Sequence, residues 1–220
     1  MDAIIRFFQL GYLVNNGDVV WQRFVEHGRL TAISMGLALL LALPLAITIT
    51  RVRWLQGPVL SVLNLLYTIP SIALLVLLVS IPIFGLGETT AIVVLVIYAQ
   101  VILVRNTVVG LNGVDSGVLE AARGMGMNGW QRLRRIELPL AMPVIIAGIR
   151  IATVSTIGIA IIAGLIGGGG LGRLLFEGIG RSGGQGRIVA GALGAAALAG
   201  IANVLLRMVE RRTTRAIYGE

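Results

Sequence analysis

The residue types that carry out reactions are sparse in this chain and poorly spaced for it. There is no Cys and a single His, His27, so no disulfide, thiolate site or histidine metal cluster can be assembled. No paired carboxylates or metal ligands converge within the apolar stretches, which argues against an embedded enzyme. The glycine-rich run from Gly167 to Gly172 lacks the Lys and following Ser or Thr of a phosphate-binding loop. No nucleotide site is therefore expected in this chain.

The segment whose spacing does carry information runs from Glu120 to Pro139. Asp115 or Ser116 can cap a short helix that places Glu120 in its early turns. Gly124 or Gly126 can end it, because both tolerate left-handed backbone. Asn128 with Gln131 three residues later reads as a capping pair that opens a second helix. On that helix Trp130, Leu133 and Glu137 are expected on one face, and Arg132 and Arg135 on another. Pro139 is expected to end it, with Pro143 starting the next element. The product is helix, glycine turn, helix, held against a membrane surface. A loop ordered this heavily reads as a docking element for a soluble partner; the plain alternative is a solvated connector.

Composition supplies the setting. The 220 residues are 56% hydrophobic and only 13% charged, and the mean hydropathy is +0.92. Soluble domains are nearer 45–50% apolar and ~25% charged, so the chain reads as a membrane protein. The net charge is +8 and every basic residue is Arg. These arginines mostly flank apolar runs, a membrane-topology pattern rather than a nucleic-acid surface. Asp2 replaces a basic leader, and no cleavable signal peptide is expected.

A spanning helix needs about 20 apolar residues. Apolar stretches between charges give five: 30–50, 59–81, 89–104, 141–166, with Arg150 inside it, and 188–206. Pro44 predicts a kink in the first, and Pro70 with Ser71 predicts a bend in the second. The expected class is all-α, a polytopic bundle of about five spans with one structured loop. The segment from Arg105 to Pro139 holds eight charged side chains, each costing roughly 2.5–3.5 kcal/mol at bilayer centre, and cannot span. Residues 1–25 read as an interfacial segment or a partial span, 26–206 as the membrane domain, and 207–220 as a basic tail. A glycine-rich loop is expected from Gly167 to Arg187.

With the long loop cytoplasmic, that side carries about eleven arginines against about six opposite. The N-terminus is then extracytoplasmic and the C-terminus cytoplasmic. Arg150, inside the fourth span, is expected to snorkel or pair with a carbonyl near the cytoplasmic face. Tyr67 and Tyr98 could line a path or bond across helices, and His27 reads as interfacial. Small residues such as Gly148, Gly164, Gly191 and Gly194 allow close helix approach, within one subunit or between two.

The run Glu120-Ala121-Ala122, then Gly126 and Ile136-x-Leu138-Pro139, resembles the EAA signature of permease subunits of binding-protein-dependent ABC importers at every position. Tyr67 to Ser71, Arg105-Asn106-Thr107, Gly124 to Met127 and Gly167 to Gly172 look like the osmoprotectant branch, permeases for glycine betaine, carnitine and choline. The likeness covers about residues 30–205.

The resemblance implies that the first short helix seats on a separate cytoplasmic ABC ATPase. Glu120, Ala121, Ala122, Gly124, Gly126, Ile136, Leu138 and Pro139 would then form the coupling element. ATP and Mg would be held by that ATPase. It further implies a second permease subunit, identical or not, and a separate extracytoplasmic solute-binding protein that supplies any aromatic cage. Tyr67, Pro70, Ser71 and Tyr98 are candidates for a translocation path or gate. The competing readings are a permease for methionine or another small polar solute, and a membrane scaffold or receptor subunit that transports nothing.

Overall fold

The computed structural model describes residues 11–219. Its elements are α1 (Gly11–Asn15), α2 (Gly17–Arg51), α3 (Arg53–Thr68), α4 (Ser71–Val79), α5 (Glu88–Asn112), α6 (Ser116–Gly124), α7 (Gly129–Arg132), α8 (Leu138–Ala160), α9 (Gly170–Ile179) and α10 (Gln185–Tyr218). A π-turn at Leu133–Glu137 joins α7 to α8, and a 3-10 turn at Ile161–Ile166 follows α8. Four helical runs are long and apolar enough to cross a membrane, and the bent pair α3–α4 passes the same test when its two helices are taken together. The all-α bundle of about five spans is as expected.

Helices α2, α5 and α8 form the centre. Ala38, Ala42 and Ala46 repeat every four residues along α2 and are fully buried. Their small side chains let α2 approach α5 closely, where Gln100 Nε2 donates to the Ala38 carbonyl at 3.0 Å. Val101, Val104 and Val108 fill the rest of that contact. Toward the opposite end from the loop, α4 lays Leu74, Leu75 and Leu78 over Leu95, Tyr98 and Ala160. A helix in lipid gains little from apolar contact as such, so packing and polar links between helices hold this arrangement.

The second span is broken. Ile69 is extended, as a residue before proline prefers, and α4 leaves α3 at 90°. α2, in contrast, continues through Pro44 as one helix. It also begins at Gly17, within the segment read as interfacial; residues 1–10 of that segment lie outside the described residues.

Three sequence expectations require correction here. Pro139 does not end a helix. The π-turn bonds Leu138 N–H to the Leu133 carbonyl, so the ladder is already shifted when it reaches the residue without a donor. The second loop helix therefore merges with the fourth span. The stretch from Gly167 to Arg187 is not simply a loop, because it folds the ten-residue helix α9. His27 is fully buried rather than interfacial. As α8 tightens into its 3-10 turn, the Ile161 N–H turns to Gly158 and Ile159. The Ile157 carbonyl thus released lies 3.0 Å from His27 Nε2.

Candidate functional site

The loop between α5 and α8 is built by its caps. Asp115 accepts a hydrogen bond from the Val118 N–H at 3.1 Å and opens α6. At the other end Gly126 N–H reaches the Arg123 carbonyl and Met127 N–H the Ala122 carbonyl. This Schellman closure requires left-handed backbone at Gly126, whose φ is +76°. Asn128 and Gln131 form the reciprocal capping box expected of them, at 2.9 and 3.0 Å. The sequence thus specifies a nine-residue helix with both ends tied.

The two signature alanines point in different directions. Ala122 is fully buried, while Ala121 is exposed. Val118, Ala121 and Met125 lie three and four residues apart on one exposed face, with Met125 70% exposed. Glu120 is exposed, and its carboxylate makes no hydrogen bond or ion pair with another described residue. The helix thus leaves a methionine, a valine and a carboxylate exposed on its outer side. Gly124 ends α6, and Ile136, Leu138 and Pro139 lie in the π-turn and the first turn of α8, beneath it in the chain.

What fixes the loop to the bundle is Glu137, at the unspecified position of the Ile136-x-Leu138-Pro139 run. It is 5% exposed. Arg51, the last residue of α2, reaches both its oxygens, at 3.2 and 2.5 Å, and Arg132 donates at 2.7 Å. The expectation that Arg132 lies on a different face from Glu137 is wrong. The extra residue in the π-turn brings positions five apart onto one side. Trp130, expected beside Leu133, is instead exposed while Leu133 is buried. Sequence reading missed the clamp because its signal is a long-range pair, Arg51 with Glu137, that no local period reveals.

Removing one member of a buried ion pair costs about 3–5 kcal/mol. Arg51 is more than a third exposed, which lowers the expected cost of Glu137→Leu to about 2 kcal/mol. Thermal unfolding of the purified chain should show that loss. Adding Arg51→Leu to it should change the midpoint little, because the pair is lost only once.

Arg150, expected to snorkel or to pair with a carbonyl, is held differently. Its partners are Glu210 Oε2 at 2.8 Å and Asn203 Oδ1 at 3.1 Å, both on α10, rather than a carbonyl. A charge at membrane depth finds its counter-charge on the neighbouring helix.

The candidate path residues meet at the break of the second span. The Tyr67 and Tyr98 rings lie 5.7 Å apart, tilted by 59°. The Tyr98 hydroxyl donates to the Ile69 carbonyl, bonding across helices at the bend. Ser71 starts α4 and lines a small apolar cavity with Leu75, Val94 and Ile162. At the opposite end from the loop, a polar cleft is lined by Arg23, Glu26, Arg29, Glu88 and Arg173. There a hydrogen bond from Arg173 holds the Glu177 carboxyl below the usual range. Among the described residues no cluster of His, Asp or Glu could hold a metal ion.

A helical bundle of four to five candidate spans carrying a capped, outward-facing loop helix defines a polytopic membrane protein. The chain belongs to the family of binding-protein-dependent transport system inner membrane components, whose model matches residues 34–215. It is 42% identical over 205 residues to the osmoprotectant import permease protein OsmW of Salmonella typhimurium, covering 90% of this chain and 94% of that one. It is 40% identical over 202 residues to the carnitine transport permease protein OpuCD of Listeria monocytogenes, covering 92% and 90%. The glycine betaine/carnitine/choline permease protein OpuCB of Bacillus subtilis is 38% identical over 203 residues, with 92% of each chain covered. Among solved structures, the MetNI methionine ABC transporter in an inward-facing conformation matches with a TM-score of 0.74 at 25% identity, covering 90% of this chain and 95% of that one. The chain is therefore a multi-pass, non-catalytic membrane component of such a transport system.

Proposed function

We propose that this chain is the permease subunit of an ATP-driven importer of compatible solutes, with glycine betaine or a related quaternary amine as cargo. The observation that carries the coupling role is the outward face of α6. Its exposed Val118, Ala121 and Met125 and its unpaired Glu120 fit a groove on a separate ATPase, which would hold ATP and Mg. The rigid connection from α6 through the π-turn to Glu137 and Arg51 would pass ATPase closure directly to the first and fourth spans. Two permease subunits would enclose one path, and a separate binding protein would deliver the solute at the end away from the loop.

The charge distribution supports an orientation. Arg51, Arg53, Arg123 and Arg132 line one cleft beside α6, and this basic end fits the cytoplasmic side. The N-terminus is then extracytoplasmic and the basic tail cytoplasmic. Cargo is supported by relatives near 40% identity named for osmoprotectants and carnitine. Expression with the partner subunits, in cells stripped of other betaine uptake, should restore accumulation of labelled betaine, carnitine or choline. No rise with any of the three, or a rise with methionine instead, would overturn the cargo assignment.

A further inference from the structure

The break in the second span leaves an arrangement that neither helix packing nor the docking loop explains. α3 runs 16 residues from Arg53 to Thr68, about 24 Å of rise, which is short of the ~30 Å that a full crossing of the hydrocarbon needs. A helix end leaves its last carbonyls without helical partners. Here Leu65 O accepts from the Thr68 hydroxyl, Leu66 O from the Ile69 N–H, and Ile69 O from Tyr98. The Tyr67 and Thr68 carbonyls accept no hydrogen bond from another described residue.

Bare carbonyls at this depth are tolerated only where they line a water-filled cavity or are covered by protein. The side chains alongside agree with a wet surface. Ser61, Asn64 and Thr68 fall three and four residues apart on α3, with Ser61 and Thr68 exposed, and Asn64 accepts from Arg105 at 2.9 Å. Tyr67 is 45% exposed and presents its ring at the same point.

The carbonyl end of a helix is the negative end of its dipole, and an aromatic face attracts cations. Tyr98 holds the geometry by fixing the Ile69 carbonyl. We propose that the broken end of α3 is an intramembrane station for the quaternary ammonium head of the cargo, formed by the Tyr67 ring with the Tyr67 and Thr68 carbonyls. This rests on the reading that the cargo is a quaternary amine. It assigns to the permease a selective contact distinct from the binding protein's.

The test uses the complete transporter in proteoliposomes, with saturating binding protein loaded with glycine betaine, and reads solute moved per ATP hydrolysed. Tyr67→Leu should lower that ratio at least fivefold, and Tyr67→Phe, which keeps the ring, should recover most of it. A merely structural loss would lower ATP hydrolysis along with transport and leave the ratio unmoved, which would overturn the station. So would a Phe variant as impaired as Leu. A wild-type complex that moves neither betaine, carnitine nor choline overturns the cargo reading as well, whereas wild-type transport with an unaffected Leu variant overturns the station alone.

Discussion

Replacing Gly126 with Val should cut ATP-driven uptake at least tenfold while the chain still folds in the membrane. Nothing lies within 4 Å of the position a Cβ would take, so the effect is not a clash with a neighbour. It is conformational. Left-handed backbone costs an L-residue about 1–2 kcal/mol, and a branched Cβ worsens it. Every 1.4 kcal/mol is tenfold in an equilibrium. A nine-residue helix has little stability of its own, so losing the Gly126 and Met127 closure frees α6 from its fixed position. The bundle is spared because its packed clusters lie in the spans and at the π-turn. Substitutions should rank by backbone tolerance, with Asn best, Ala intermediate and Val worst. Uptake assays with matched membrane expression check that order.

Gly172→Ala should produce the largest loss of stability. A Cβ there would fall 1.9 Å from the Ile161 carbonyl oxygen, and one at Gly164 would fall 2.3 Å from the Gly172 backbone. The 3-10 turn and α9 therefore touch backbone to backbone, and no side chain can yield. Overpacking typically costs 1–3 kcal/mol, and a contact of this kind belongs at the top of that range. About 3 kcal/mol corresponds to a fall of roughly 6–12 °C in unfolding midpoint for a chain of this size. Gly180→Ala is the matched control, since nothing lies within 4 Å of it and its φ is −91°. Thermal unfolding in detergent should separate the two variants clearly.

The features legible in the sequence were those with a local cause. Apolar runs marked five spans, Asn128 with Gln131 marked a cap, Gly124 or Gly126 marked the end of the first loop helix, and Pro70 marked the bend. The misses share a different cause. Pro139 was read by its usual local effect, yet the π-turn before it had already absorbed the missing donor. Arg132 and Glu137 were assigned faces by a 3.6-residue period that the same π-turn interrupts. Glu210 and Asn203 lie 60 and 53 residues from Arg150, and Ile157 lies 130 residues from His27. Such partners are set by how helices assemble, and no short-range pattern carries them. The signature alanines show a subtler limit. Spacing identified the pair, but only the fold turned Ala122 inward and left Ala121 for a partner.

The absence of cysteine permits one direct measurement of the docking claim. A single Ala121→Cys variant, assembled with an ATPase carrying a cysteine along its docking groove, should form a cross-linked permease–ATPase species. A cysteine at Ile83, exposed at the far end of the second span, should not. A cross-link from 83 with none from 121 would contradict the account, because it would seat the ATPase at the wrong end of the molecule.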